Sequence, residues 1–472
     1  MELKGIKVLV DGYNLELPAG SGAKAYGLGL LAALKSMGAG VGLLSSKKNV
    51  RSTPALEEAL FFETSKAGGR IKLMPDALGK IAGYTHRSGL AGMAAGMAAG
   101  FTEIALELGK IESSFTSVVE RVERALRLVR EAPVALTRTF PRASEIRRAH
   151  TVVTRGLENE FLDSTSLYAL HKCYSIANTR FRMGLGATKI AVPEKIAVWH
   201  ATCPMPVRIR GAKMITTIHD VIPLKLPYAT PDDKRTYYKL VKRSIRDSAL
   251  VIAVSEHTKK DILSIFDADP EKVFVTYQPV DPAPRPNEAE LTGFLSKYWL
   301  KKDRYLLCVG TIEPSRNIGR LLEAYALLGT YMPLVIVGRK GRLWTYGIGS
   351  KNMKNVMMLD NISRKELAYF YAGAYCLIHP SLYEGFGLPP VEAMSYGCPV
   401  ITANVASLPE VCGSAALYAD PYDVRALKNA VEELISNPEA REKFSEAGLK
   451  RARFFDMENY IKRLYNAYEK VL

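Results

Sequence analysis

Short apolar runs of three to five residues, rich in Val, Ile and Leu, alternate with helical stretches in two separate blocks of this 472-residue chain. In the first block the runs fall at 7–11 (KVLVD), 41–44, 196–200 (IAVWH), 214–218, 250–254 and 273–276. In the second they fall at 305–309, 334–337, 356–359, 376–379 and 399–401. Strands without polar alternation are buried on both faces, and strand–helix alternation builds a parallel sheet covered by helices. Residues 279–288 separate the blocks, and their four prolines and two acids read as a linker. A chain of this length exceeds what one core sustains, so two or three domains are expected at roughly 100–200 residues each. The expected fold is α/β, with two doubly wound domains facing a cleft. The first spans 1–285 and the second 286–455, and an amphipathic helix at 456–472 crosses back to the first. Ligands in such folds bind outside the carboxyl ends of the strands, at helix N-termini.

Residues from about 85 to 185 break this pattern. They are rich in Ala, Leu, Arg and Glu and read as a mostly helical insertion in the first domain, with 117–130 and 157–181 the clearest stretches. Within it, 90–101 (LAGMAAGMAAGF) is too short and too rich in Gly and Ala to span a bilayer, and reads as a packed helix or loop. The N-terminus lacks the apolar centre of a signal peptide. Six cysteines without C-x-x-C spacing argue against a disulfide framework or a zinc site, and for a reducing compartment. A net charge of +16 invites a nucleic-acid reading, but no zinc-finger, RNP or lysine-block signature accompanies it. Anionic lipid headgroups or an acidic, lipid-linked acceptor account for the charge equally well. The expectation is therefore a cytoplasmic protein, peripheral on the inner face of an anionic membrane, with no nucleic-acid partner. Arg235, Lys239, Lys242 and Arg246 recur on one helical face, which is either plainly solvated or membrane-facing.

Chemistry concentrates at 379–394 (HPSLYEGFGLPPVEAM), between a buried strand and a helix. Gly385 and Gly387 free the backbone for close approach to a ligand, and Pro389 and Pro390 suit a first helical turn. The helix N-terminus is a ready anion site, and Glu392, about one turn in, can accept two hydrogen bonds from a vicinal diol such as a ribose. No G-x-G-x-x-G follows the first strand, so a dinucleotide oxidoreductase is a poor reading. His200, behind Trp199, reads as a satisfied core residue more readily than as a cleft residue.

Glu384 and Glu392, seven residues between them, within EGFGLPPVEAM, resemble the E-x7-E signature of family 4 retaining glycosyltransferases. The segments 217–223 (TIHDVIP), 254–258 (VSEHT), 309–317 (VGTIEPSRN), 399–401 and 407–411 (SLPEV) resemble the same family in order, over nearly the whole chain except the insertion. The resemblance is to bacterial mannosyl- and rhamnosyltransferases of polysaccharide assembly, and it implies the GT-B fold, two Rossmann-like domains about a cleft. It further implies that Glu384 contacts the donor sugar or its phosphate side and that the amides of Gly385, Phe386, Gly387 and Leu388 face the sugar hydroxyls and the diphosphate. Glu392 would hold the ribose, the backbone of Ile362 would meet the base, His219 would reach the donor sugar, and the turn ending at Gly22 would lie across the cleft. Where the family often has Arg-Lys after the loop proline, this chain has Ser315 and Arg316, and Thr311 stands where an Arg is common. The leaving diphosphate is therefore left to Arg316, with Arg339 or Lys340. The implied reaction is retaining front-face transfer of a hexose, first mannose from GDP-mannose and otherwise a UDP- or dTDP-sugar, to a lipid-linked or glycan acceptor. No metal and no cofactor beyond the nucleotide sugar is implied. The alternative, a degenerate subunit of the same fold that binds nucleotide or a partner without turnover, rests on Ser315 alone.

Overall fold

The computed structural model describes residues 2–16, 22–46, 142–145, 165–341 and 355–472. The turn residues 20 and 21, the segment 90–101 and the bulk of 85–185 lie outside the described residues.

The first part of the chain contributes β1 (Lys7–Asp11), β2 (Gly40–Ser45), β3 (Ser144–Glu145), β4 (Ser166–Ala169), β5 (Thr188–Ile190), β6 (Val198–Ala201), β7 (Val207–Ile209), β8 (Lys213–Ile218), β9 (Leu250–Ala253) and β10 (Val273–Val275). Eight of these form one sheet in the order β10-β9-β8-β6-β1-β2-β4-β3, parallel except for β3, while β5 and β7 pair separately. The second part contributes β11 (Leu306–Val309), β12 (Leu334–Val337), β13 (Val356–Leu359), β14 (Cys376–His379), β15 (Val400–Ala403) and β16 (Ala416–Ala419). These form an all-parallel sheet in the order β13-β12-β11-β14-β15-β16. The order reverses between β11 and β14, and in the first sheet between β1 and β6, and at such switch points the loops leaving adjacent strands part to open a crevice. The central strands are buried along their whole length, as their unbroken Val, Ile and Leu require.

The helical reading of 157–181 is corrected at its centre: Ser166–Ala169 is a strand, paired in parallel with β2. The helix proper is Cys173–Arg182. Four residues carry no usable period, so sheet pairing rather than local pattern decides their state.

Seven helices matter below: α1 (Gly22–Ser36), α2 (Cys173–Arg182), α3 (Lys234–Asp247), α4 (Glu256–Phe266), α5 (Arg364–Gly373), α6 (Leu388–Ser395) and α7 (Met457–Glu469). Helix α7 leaves the second sheet's surroundings and packs on α1, setting Tyr460, Leu464, Ala467 and Tyr468 among Leu30, Leu31 and Leu34 of the first core. Its polar handles are satisfied there: Tyr468 Oη lies 2.8 Å from His200 Nδ1, and His200 Nε2 lies 2.9 Å from Thr217 Oγ1. Thr217 Oγ1 in turn sits 2.7 Å from Tyr26 Oη on α1. The two crossings between the parts meet where Val280 N–H donates to Phe455 O at 2.8 Å, and Tyr396 Oη of the second part donates to Ala283 O at 2.7 Å.

Leu464 is fully buried in this seam. Leu464→Ala should cost about 2–5 kcal/mol of unfolding free energy in a denaturant titration, the usual range for a core leucine. A loss well below that range would show that α7 does not complete the first core.

Candidate active site

Loops from both parts of the chain meet at the segment 384–388. Its carbonyls point into protein: Gly385 O accepts from Ser255 Oγ at 2.6 Å and from Thr258 Oγ1 at 3.0 Å. Glu384 O and Phe386 O both accept from Ser407 Oγ, at 2.9 and 3.0 Å. With the carbonyls so occupied, the N–H groups of Gly385, Phe386, Gly387 and Leu388 donate to no protein group among the described residues. Gly387, in the left-handed region at φ 96°, caps α6, and Pro389 and Pro390 follow without loss of a needed donor. The result is a row of amides at a helix N-terminus, with the electrostatics of an anion cradle.

Packing adds a second reason for the glycines. A Cβ on Gly385 would lie 1.7 Å from His219 O, and one on Gly387 would lie 2.8 Å from Leu408 Cδ2. Contact across the two parts of the protein requires glycine at 385, whereas at 387 the left-handed φ and the neighbouring Leu408 of the same part require it. Gly22, the first residue of α1, stands opposite, where a Cβ would lie 3.1 Å from Leu388 Cδ1.

Glu384 is buried beside the cradle. Its Oε1 accepts from His379 Nε2 at 2.9 Å and pairs with the Arg316 guanidinium. Arg316 NH1 also donates to Ser381 Oγ at 3.5 Å. The loop carrying Arg316 is locked to this segment: Leu382 N–H donates to Ser315 O at 2.8 Å, and Asn317 Nδ2 donates to Pro380 O and Pro421 O at 3.1 and 2.6 Å. Ser315 is buried in that junction. Arg316 thus joins Glu384 directly, whereas Arg339 and Lys340 stand exposed on the next loop, which is zipped to 312 by Ile312 N–H donating to Arg339 O at 2.8 Å.

Glu392 lies one turn into α6, partly buried, and accepts from Tyr371 Oη of α5 at 2.9 Å. Burial raises its carboxyl above the usual range, and the Tyr371 bond and Arg364 partly oppose the rise. Among the described residues its Oε1 has no hydrogen-bond partner, so one oxygen is held and the other is available. Ile362 sits just before α5, partly buried against the same core.

His219, at the end of β8, is bound at both nitrogens: Nε2 donates to Thr202 O at 2.9 Å, and Nδ1 accepts from Gln278 Nε2 at 2.8 Å. Its ring meets Tyr26 edge-on at 4.9 Å. Burial holds it neutral, pushing its pKa down to about 4, and does the same to His200, down to about 3. Burial also drives His379 well below its usual value, with Arg316 adding to the effect. Asp11, fully buried at the end of β1, has its carboxyl pushed up to about 6 by burial despite accepting from the amides of Thr202 and Tyr13.

The sequence reading assigned no role to His379, Tyr371 or Gln278, which orient Glu384, Glu392 and His219. His379 was within reach, five residues before Glu384 at a strand end. Tyr371 and Gln278 become partners only through tertiary packing. A further joint was equally unreadable: Glu410 accepts from Glu256 N–H and His257 N–H at the start of α4, at 2.7 and 2.9 Å, and Tyr383 Oη donates to Asp261.

Two parallel α/β sheets with opposed switch points, and an amide cradle flanked by two glutamates, define a glycosyltransferase of the GT-B fold. Residues 296–451 match the Glycosyl transferases group 1 family, and residues 146–284 match Glycosyltransferase Family 4. The O-antigen chain mannosyltransferase B of Escherichia coli is 36% identical over 276 residues, 56% of this chain and 72% of that protein. The O-antigen chain mannosyltransferase RfbU of Salmonella typhimurium is 28% identical over 260 residues, 51% of this chain and 69% of that protein. The solved sucrose-phosphate synthase of Thermosynechococcus elongatus superposes with a TM-score of 0.59 at 14% identity, covering 98% of each chain, a likeness of fold. The chain belongs to the family 4 glycosyltransferases.

The buried histidines set a pH dependence. Each refuses a proton that the unfolded chain accepts near 6.5, so stability is present above that value and falls as pH drops towards the folded-state values of about 3 and 4. Asp11 works in the opposite sense below its raised value of about 6 and offsets part of the fall. Melting temperature should decline from pH 7 to pH 5, and less steeply in His200→Gln. An equal slope in that variant would mean that His200 protonates within the fold.

Proposed function

We propose that this glycosyltransferase moves mannose from GDP-mannose, with retention of anomeric configuration and without a divalent cation, to a lipid-linked or polysaccharide acceptor. The observation that carries the reading is the row of four amides at 385–388, with Glu384 and Arg316 on one side and Glu392 on the other. Two similar proteins named as O-antigen chain mannosyltransferases support the choice of sugar and of acceptor class.

In this reading the diphosphate lies over the amides, and Arg316 moves its charge from Glu384 to the leaving phosphate. Charge that develops as the glycosidic bond breaks is met by fixed dipoles and one guanidinium, which act in a low-dielectric cleft without reorganisation. Glu384, still held by His379, turns to a hydroxyl of the donor sugar. The free oxygen of Glu392 accepts from the ribose diol while Tyr371 fixes the other, and the backbone of Ile362 borders the base. Arg339 and Lys340 stand behind Arg316 as further positive charge. For His219 to touch the donor sugar it exchanges its bond to Gln278 or to Thr202. A phosphate oxygen of the leaving group takes the acceptor proton on the same face of the sugar, so no second carboxylate is needed as nucleophile.

Thermal stabilisation by GDP, UDP, dTDP and ADP, side by side, tests the donor. At about 100 times its dissociation constant the right nucleotide adds roughly 2.7 kcal/mol. GDP should give that shift and Glu392→Ala should lose it. A preference for UDP or dTDP would replace the donor, and an undiminished shift in the variant would remove the ribose role. Turnover measured in the presence of EDTA should persist in the wild type and fall by about 10²–10³ in Arg316→Ala, the scale of losing one oxyanion donor. Normal turnover in that variant would move the diphosphate role to Arg339 or Lys340, and a wild type silenced by EDTA and restored by magnesium would overturn the metal-free reading.

A further inference from the structure

Helix α3 turns four cations outwards in one row, Arg235, Lys239, Lys242 and Arg246, all exposed. Two of the acids nearest in sequence, Asp233 and Asp247, are already engaged, Asp247 in part with Arg246 of the row. Asp233 caps the helix by accepting from the amides of Arg235 and Thr236. Asp247, its side chain 9% exposed, is held by Arg243 at 2.6 Å, with Arg246 and Arg208 at 3.5 and 3.9 Å. Among the described residues, Arg235, Lys239 and Lys242 have no carboxylate within ion-pair distance.

Beside the row stand apolar side chains that a purely solvated face does not explain. The turn after α2 presents Met183 and Leu185 at 37% and 43% exposure. Gly184 and Gly186, both at positive φ, fold this turn against α3, where a Cβ on Gly186 would lie 3.9 Å from Arg243 NH1. The inner side of α3 borders a cavity of about 210 Å³ lined by Tyr174, Phe181, Arg182, Asp232, Thr236 and Tyr237.

We propose that the outer face of α3, with Met183 and Leu185, docks on an anionic lipid bilayer. Exposed cations beside projecting apolar side chains are the composition of a surface that sits in a headgroup layer, the cations on anionic lipids and the apolar groups below them. A nucleic-acid backbone would use the cations and leave Met183 and Leu185 without a role. The cavity on the other side of the same helix lies where the head of a bilayer-anchored molecule would reach. This last link rests on the lipid-linked acceptor proposed above.

The test is sedimentation of the full chain with phosphatidylglycerol–phosphatidylcholine vesicles against pure phosphatidylcholine vesicles. The wild type should sediment with the anionic vesicles alone and be released by salt. Arg235→Glu/Lys239→Glu/Lys242→Glu should lose at least about tenfold in partitioning, given the known contribution of each basic residue near an anionic surface. Met183→Ser/Leu185→Ser should weaken binding at constant charge. Both variants should melt as the wild type does. Sedimentation of the triple variant equal to wild type, equal binding to neutral vesicles, or displacement by duplex DNA at matched phosphate concentration would overturn the proposal, the last by assigning the row to polyanions in general. Transfer from GDP-mannose to a soluble acceptor, run in parallel, should be unaffected by either variant. Its absence in the wild type would sink the proposed function while leaving vesicle binding intact.

Discussion

The carbonyl of Gly385 is the point on which the site depends. By accepting from Ser255 and Thr258 of the first part of the chain, it fixes the second part against it and turns the amides of 385–388 the other way. One peptide orientation therefore closes the interface and creates the anion cradle together. Glu410, which accepts two amides at the start of α4, and Tyr383, which donates to Asp261, reinforce the same joint. A side chain at 385 would strike His219 O and undo both consequences.

The two glutamates differ in how they are held. Glu384 is an acceptor shared by a neutral buried histidine and a guanidinium, so its charge is already compensated before any ligand arrives. Glu392 has a single tyrosine donor and a carboxyl raised by burial, so it gains most from a further donor. The asymmetry follows from position. Glu384 precedes the helix, inside the loop junction, whereas Glu392 rides on the helix surface facing α5.

Much of this was legible in the sequence. Strand runs such as KVLVD and LVIV declare themselves because parallel strands buried on both faces have no polar alternation to obscure them, and β1 and β12 fall where expected. The strand–turn–helix around Glu384 and Glu392 was readable because glycine, proline and carboxylate there each have a local meaning. The strand Ser166–Ala169 was not, since four residues beside a helical stretch carry no period of their own. Nor was the Arg316–Glu384 pair, or the double restraint on His219 by Thr202 and Gln278, because partners that lie on different strands and loops meet only once the sheets are assembled. The role of Gly385 was placed on the right residue for an incomplete reason: the clash that demands glycine is with a carbonyl from the other side of the cleft.

The return of α7 to the first core has a consequence for biosynthesis. Tyr460, Leu464 and Tyr468 fill a groove over α1, and Tyr468 supplies the partner of a buried histidine. Until residues 457–469 have been translated, the first sheet carries an open apolar seam and His200 lacks one of its two bonds. The domain begun first on the ribosome is thus among the last to be completed, and the nascent chain must keep that seam from other apolar surfaces while the whole second sheet is made.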